Sequence, residues 1–304
     1  MKNFKSFALL VLAATIVPAL PAETHCPGNV ASLPFRVVNR HQIVLAVSIN
    51  HTGPYNFLLD SGAQLTMIDP SLAAGLHLET QGAAIVAGTG SRQSSSFAQL
   101  GLIEAGSHAV AKQKVLVYDL QNLHSADLYI QGILGEDFLE HFDMLIENAH
   151  RLLCLDNSDA MRADVKGRHI PLIATAKPED GVALPGLLIV AVRLSDGMRP
   201  VRLMLDSGTN APILYNTSQY MALQPSQSAP LRGNGVDGVQ RIFSALPPQE
   251  VKIGSLELSR VHFFSLAGTQ KDARVKGFDG VLPTGLFRRV FIDHADRFAV
   301  LEPR

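Results

Sequence analysis

The chain is written twice. Asn56–Ala63 reads Asn-Phe-Leu-Leu-Asp-Ser-Gly-Ala, and 146 residues later Arg202–Thr209 reads Arg-Leu-Met-Leu-Asp-Ser-Gly-Thr. The run from Ile146-Glu147 through Ala149 and Arg151 to Leu155 returns at the same displacement, from Ile292-Asp293 through Ala295 and Arg297 to Leu301. Between these, Gly132-Ile133-Leu134-Gly135 aligns with Gly280-Val281-Leu282-Pro283 at 148 residues, a two-residue slip within a loop. Three separated matches in one order mark a single duplication, not a short-period solenoid. Such a chain must fold as two copies of one pattern about a pseudo-twofold axis. With 304 residues, each half has the length of a small lobe.

Both halves have the same texture. Short β-rich runs (Ile43–Ile49, Phe57–Leu59, Val115–Val117, Leu152–Leu155) alternate with Gly, Pro, Asn and Asp, and the second half repeats this at Leu187–Leu194, Val201–Leu205, Val251–Ile253 and Val261–Phe264. That pattern predicts an all-β fold. Short helices are expected only at Pro70–Gly75 and Glu136–His141. The expected organisation is a leader over 1–22, a first lobe over 23–158, a linker over 159–178 and a second lobe over 179–304. Ile170-Pro171-Leu172 echoes Leu33-Pro34-Phe35, which suggests that the linker carries the first strand of the second lobe.

An apolar content of 47% with 17% charged residues points to a folded globular chain. The net charge of −1 and the lack of a Lys/Arg stripe argue against nucleic acid as a partner. Lys2 and Lys5, the apolar run Phe7–Val17 and the small residues through Ala22 have the order of a cleaved export signal, with cleavage expected after Ala22 or Ala19. No transmembrane anchor is expected after cleavage. Val182–Leu194, broken by Pro185 and Gly186, reads as core strands. Cys26 and Cys154 permit one disulfide in an exported chain. The alternative is a buried free Cys154 with Cys26 loose near the new terminus.

Each Asp-Ser-Gly follows an apolar strand and precedes another apolar run, Leu65–Ile68 or Pro212–Tyr215. An aspartate so placed is desolvated, which is costly unless it is paired or functional. The duplication would bring Asp60 and Asp206 together across the axis, while Gly62 and Gly208 permit tight turns. Two adjacent carboxyls cannot both ionise cheaply; they share a proton and supply an acid and a base at one pH. One carboxylate can then activate water while the other protonates a carbonyl oxygen, with no metal or other cofactor.

Asp60-Ser61-Gly62-Ala63 and Asp206-Ser207-Gly208-Thr209 resemble the active-site loops of the pepsin/retropepsin-like aspartic peptidases, and Ile133-Leu134-Gly135 resembles the apolar-apolar-Gly element behind such loops. The resemblance spans about Pro34–Leu301. It implies two pseudo-twofold-related acid-protease β-barrel lobes, six-stranded in type, with a central cleft. It also implies an aspartic endopeptidase that acts as a monomer on extended peptide or protein substrates. Asp60 and Asp206 would be catalytic, and Ser61 and Ser207 would exchange hydroxyl–backbone hydrogen bonds across the lobes. Gly88, Gly90, Gly233 and Gly235 sit where flap hairpins belong. Ala63 follows the first triplet as in retroviral enzymes, and Thr209 the second as in pepsin-like ones. The Thr209 hydroxyl is expected to support ionised Asp206, which leaves Asp60 protonated. Pro283 stands where the supporting element has glycine, so a less regular second lobe is expected. No flap tyrosine lies near Gly88.

The 11 histidines form no H-E-x-x-H, which disfavours a zinc hydrolase. No G-x-S-x-G elbow supports a serine hydrolase. Gly233-x-Gly235-x-x-Gly238 spells a dinucleotide fingerprint but lacks the strand before it and the helix after it. Asp69, Asp143 and Asp293 read as turn or surface residues. The functional expectation is peptide-bond hydrolysis in the bacterial periplasm or outside the cell. The alternatives are an inactive peptidase-like peptide-binding protein of the envelope and a symmetric dimer using one triplet per chain.

Overall fold

A computed structural model of the chain describes residues 26–304 except 89–90, 126–127, 157–158, 174–183, 196–198, 216–229 and 267–276. The expected leader over 1–22 and the flap candidate Gly90 lie outside the described residues.

Nearly every described element is a strand, and the duplication sets their arrangement. A six-stranded sheet joins the lobes in the order Ser32–Pro34, Leu152–Asp156, Asp143–Glu147, Phe287–Asp293, Phe298–Pro303, Ile170–Pro171. Read from either end, it presents equivalent strands of the two halves. At its centre Leu145 pairs with Phe291, its own counterpart 146 residues on, as residues astride a twofold axis must. Ile170–Pro171 pairs with Phe298–Pro303 just as Ser32–Pro34 pairs with Leu152–Asp156. The segment 159–178 thus carries that strand, as well as a helix at Asp159–Asp164.

Each lobe adds a sheet of its own. In the first lobe the order is Thr80–Gly88, Ser91–Gln99, Lys114–Val117, Met67–Ile68, Gly132–Leu134, Thr52–Leu59, Gln42–Ile49, Leu102–Ala105, His108–Ala111, and Arg36–Val38 also pairs with Gln42–Ile49. In the second it is Ile189–Val192, Val201–Asp206, Gly280–Pro283, Ile213–Leu214, Phe264–Leu266, Gln240–Ala245, Leu231–Asn234. Seven strands therefore recur in one order, one more than the six-stranded type expected. The hairpin Gln249–Ile253/Leu256–Val261 forms a separate two-stranded sheet. Its counterpart in the first lobe is hydrogen-bonded onto Gln42–Ile49 through Ser48 and Ile49. Among the described residues of the second lobe, the corresponding pairing is an isolated bridge at Arg193–Lys252, so its sheet is shorter.

Burial follows the alternation of side chains along the strands. The core runs unbroken from Ile43, Phe57, Leu59 and Leu134 in the first lobe to Val190, Leu203, Leu205 and Leu282 in the second. On the other face of the joining sheet, Met161 of the Asp159–Asp164 helix covers Leu145, Phe291, Phe298 and Val300, together with Cys26 and Cys154.

Two expectations need correction. Val261–Phe264 is not one strand: one strand ends at Val261 and the next begins at Phe264. Asp69, Asp143 and Asp293 are buried, not surface residues. Asp69 caps the Pro70–Gly75 helix, accepting from Ser71 N at 2.9 Å, while Asp293 and Asp143 flank Arg162, the latter at 3.6 Å. Each of these buried carboxylates has a local partner, which offsets the cost of removing it from water. The Gly233–Gly238 stretch is a β-hairpin with Gly238 at φ +69°, which leaves no helix to receive a dinucleotide.

Cys26 and Cys154 are joined, and the bridge closes a separation of 128 residues. Constraining so long a loop removes unfolded-state entropy worth about 4–5 kcal/mol in the chain-entropy account. Replacing both cysteines by serine should therefore lower the thermal midpoint markedly, as measured by calorimetry. An unchanged midpoint would show that the bridge adds nothing to the packing around it.

Candidate active site

The strand Thr52–Leu59 runs buried through Phe57, Leu58 and Leu59 and ends where Asp60 N donates to Leu134 O at 3.0 Å. The chain then turns back on itself. Gly62 N and Ala63 N donate to Asp60 Oδ1 at 2.8 and 3.1 Å. In the other half Gly208 N and Thr209 N donate to Asp206 Oδ1 at 2.8 and 3.0 Å. The two turns are the same construction used twice, and they face each other. A Cβ on Gly62 would lie 2.9 Å from the Asp206 carboxyl carbon, and one on Gly208 would collide with the Asp60 carboxyl. Glycine is required in both turns because each gives way to the opposite carboxyl.

Two serines lock the turns together. Ser61 Oγ donates to Leu205 O at 2.9 Å and accepts from Ser207 N at 3.1 Å. Ser207 Oγ donates to Leu59 O at 2.9 Å and accepts from Ser61 N at 3.0 Å. Both serines are fully buried, so these four bonds satisfy groups that water cannot reach. Gln42 Nε2 adds a further bond across the lobes, to Gly208 O at 2.6 Å.

Behind the first turn, Asp137 Oδ1 accepts from Thr66 N and Thr66 Oγ1 at 2.8 and 2.6 Å. Gly135 N donates to Thr66 Oγ1 at 3.1 Å, and Glu136 N to Ala63 O at 2.8 Å. Gly135 has no room for a side chain, since a Cβ would lie 2.7–2.9 Å from the backbone of Ala63 and Leu65. The second lobe does without this network. Pro283 has no N–H to donate; it remains in a strand paired with Asp206, and a short 3-10 turn, Thr284–Leu286, replaces the α-turn.

Each carboxyl lies against the turn that carries the other, so each bears on the other's proton. Burial raises Asp60, and the N–H groups of Gly62 and Ala63 and the bond with Asp206 partly offset it. Asp206 is raised well above the ordinary carboxyl range, first by burial and then by the Asp60 charge, against the N–H groups of Gly208 and Thr209. Both carboxyls are raised, so together they retain a proton at a pH where exposed aspartates have ionised. One part of the expectation built on Thr209 fails. Its hydroxyl donates to Ala211 O at 3.2 Å and not to Asp206, so only its backbone N–H supports the carboxylate.

Each lobe carries a hairpin at the equivalent place in its sheet. Gly88 closes the Thr80–Gly88/Ser91–Gln99 pair, while Gly233 and Gly235 sit in and just beyond the strand Leu231–Asn234. The turn of the second hairpin reaches the first lobe. Val236 packs on the cluster containing Tyr118, Leu120 and Ile133, and a side chain on Gly238 would strike Asn122. Asp237 and Arg241 form a buried ion pair in that turn, with Arg241 Nη1 to Asp237 Oδ1 at 2.8 Å. Four of the five exposed large hydrophobic residues among those described, Ile85, Leu231, Val239 and Ile242, lie on these two hairpins; the fifth is Tyr129.

Sequence reasoning missed Gln42, Thr66, Asp137 and the Asp237–Arg241 pair. None recurs in the other half, so the duplication that exposed Asp60 and Asp206 had no signal for them. Asp137 alone had a cue, as a carboxylate just after the Ile-Leu-Gly element.

Residues 45–138 match the family profile described as aspartyl protease. No curated protein sequence matches the chain. Among solved structures, an aspartic proteinase from Irpex lacteus superposes with a TM-score of 0.54 at 12% identity, covering 90% of this chain and 97% of that one. The profile covers the first turn, Thr66 and Asp137; the structural likeness spans both lobes. The chain thus carries an aspartyl protease signature in its first lobe and has, over nearly its whole length, the fold of an aspartic proteinase.

Proposed function

We propose that the protein is an aspartic endopeptidase in which Asp60 and Asp206 share one proton and hydrolyse peptide bonds through an activated water. The observation that carries this reading is the pair of carboxyls, facing each other on matching turns that a serine exchange joins. Both triplets meet within one chain, so a dimer is not needed to complete the pair.

In this reading Asp206 carries the proton and Asp60 the charge. Ionised Asp60 takes a proton from a water bound between the carboxyls, and that water attacks the carbonyl carbon of the substrate. Protonated Asp206 gives its proton to the carbonyl oxygen, forming a neutral gem-diol. Collapse of the gem-diol breaks the C–N bond. The nitrogen receives the proton held by Asp60, and a hydroxyl of the gem-diol returns a proton to Asp206. The serine exchange keeps both carboxyls in place throughout, so little reorganisation accompanies charge movement. The two hairpins, with apolar residues exposed on both, suit an extended peptide held over the carboxyls.

An exported location, periplasmic or secreted, accompanies the reading. The leader pattern and the Cys26–Cys154 bridge both favour an oxidising compartment.

Asp60→Asn and Asp206→Asn should each lower kcat on a peptide library by about 10²–10⁴-fold, the usual contribution of a general acid or base. If both variants keep the full biological effect, the chain is a peptide-binding protein instead. A second outcome follows from linkage. The Asp206 carboxyl is raised in the fold, so its contribution to stability is fully present below the ordinary carboxyl pKa and is lost as pH rises through the raised value. Asp206→Asn should therefore raise the thermal midpoint at neutral pH while leaving it little changed near pH 3. Equal shifts at both pH values would contradict the protonation assignment.

A further inference from the structure

The duplication left one place where the halves solve the same problem with different chemistry. Behind the second active-site turn, Asn148 Nδ2 donates to Thr284 O and Phe287 O at 3.2 and 3.1 Å. Asn148 lies in the first half and Thr284 in the second, so this neutral amide ties the joining sheet to the element after Gly280–Pro283. In the other half the counterpart of Asn148 is His294, and the counterpart of Thr284 is Glu136. His294 Nδ1 lies 2.6 Å from Phe142 O, and Nε2 lies 3.2 Å from Glu136 Oε2. The Glu136 side chain is fully buried and His294 nearly so, at 6% exposure.

Proton bookkeeping fixes what this tie needs. Phe142 O can only accept, so Nδ1 carries a hydrogen. The contact between Nε2 and Oε2 then needs one shared proton, whichever atom holds it. Remove that proton and a lone pair faces a buried carboxylate, whose Oε1 has no hydrogen-bond partner among the described residues. Glu136 also holds the catalytic turn directly: its N–H donates to Ala63 O, and its neighbour Asp137 holds Thr66.

We propose that Glu136 and His294 are a proton-dependent positioning pair that holds the Asp60 turn against the second lobe and releases it as the shared proton is lost toward alkaline pH. For its kinetic consequence the inference rests on the peptidase reading; for its structural consequence it does not.

The surroundings agree in sign. Burial raises Glu136 and outweighs His294, which lowers it; Glu140 adds a raising charge and Arg297 a lowering one. Burial alone would lower His294, but the hydrogen bond and charge of Glu136, Phe142 O and the Asp143 charge carry it upward. Asp143 in turn faces Asp293 and Arg162. With both groups raised in the fold, the stabilisation is fully present below their ordinary values and is lost as pH rises through the raised ones. The Asn148–Thr284 tie has no such dependence.

The test compares thermal midpoints of the full chain between pH 5 and pH 9 for three proteins, without substrate. They are the wild type, Glu136→Gln, and Glu136→Thr combined with His294→Asn, which copies the other half. In Glu136→Gln the amide N–H can donate to Nε2, so the tie persists without the shared proton. Both variants should lose less of their midpoint between pH 6 and pH 9 than the wild type, by several degrees. The alkaline limb of the kcat profile should move upward in pH with little change in KM. Should either variant fail to fold, the other carries the comparison. Variant slopes equal to the wild type in the midpoint scans would overturn the pair while leaving the peptidase reading untouched. Absence of cleavage with altered slopes would do the reverse.

Discussion

Asp60, half-buried, and Asp206, buried, face each other at the seam of the lobes, and the cost of desolvating them organises what surrounds them. An isolated carboxylate in such a place would be expelled or neutralised. Here each carboxyl oxygen Oδ1 accepts two backbone N–H groups from its own turn, and each carboxyl lies against the glycine of the opposite turn. Neither device works unless the two turns stay in register. The serine exchange supplies that register, with four buried hydrogen bonds joining residues 144–148 positions apart. The twofold seam is therefore a stability problem and the chemical apparatus at once.

Symmetry holds at the axis and decays away from it. Leu145 opposite Phe291, the matching turns and the serine pair are all close to the axis. Behind the turns the halves diverge. Thr66, Gly135 and Asp137 brace the first turn, while the second is backed by a continuous strand ending at Pro283. At the carboxyls themselves the backbone bonds are equivalent and burial raises both groups, with the Asp60 charge adding to the push on Asp206. An acid–base pair needs one proton between two such groups, because they begin the reaction in different protonation states.

The β architecture, the lobe duplication and the two Asp-Ser-Gly turns were legible because each leaves a repeated mark on the chain. Even the linker strand Ile170–Pro171 could be read from its likeness to Leu33-Pro34. Single-copy features were not. Val261–Phe264 is an apolar run with no period to show that it spans two strands. The carboxylates of Asp143 and Asp293 look like turn residues until the sheet brings Arg162 over them. The role given to the Thr209 hydroxyl failed for a similar reason: residue type alone could not show that Ala211 O lies within its reach. The seventh strand of each lobe and the detached hairpin of the second depend on edge pairings, which the sequence specifies only weakly.

The central claim is that one proton resides between the two facing carboxyls, and it can be counted. Carboxyl-carbon NMR of the chain labelled with ¹³C-aspartate, followed through a pH titration and assigned with the Asp→Asn variants, reports each group separately. The account predicts two linked transitions, with one of the pair remaining protonated well above the pH at which the exposed aspartates have ionised. Two independent transitions, both within the ordinary aspartate range near pH 4, would contradict it.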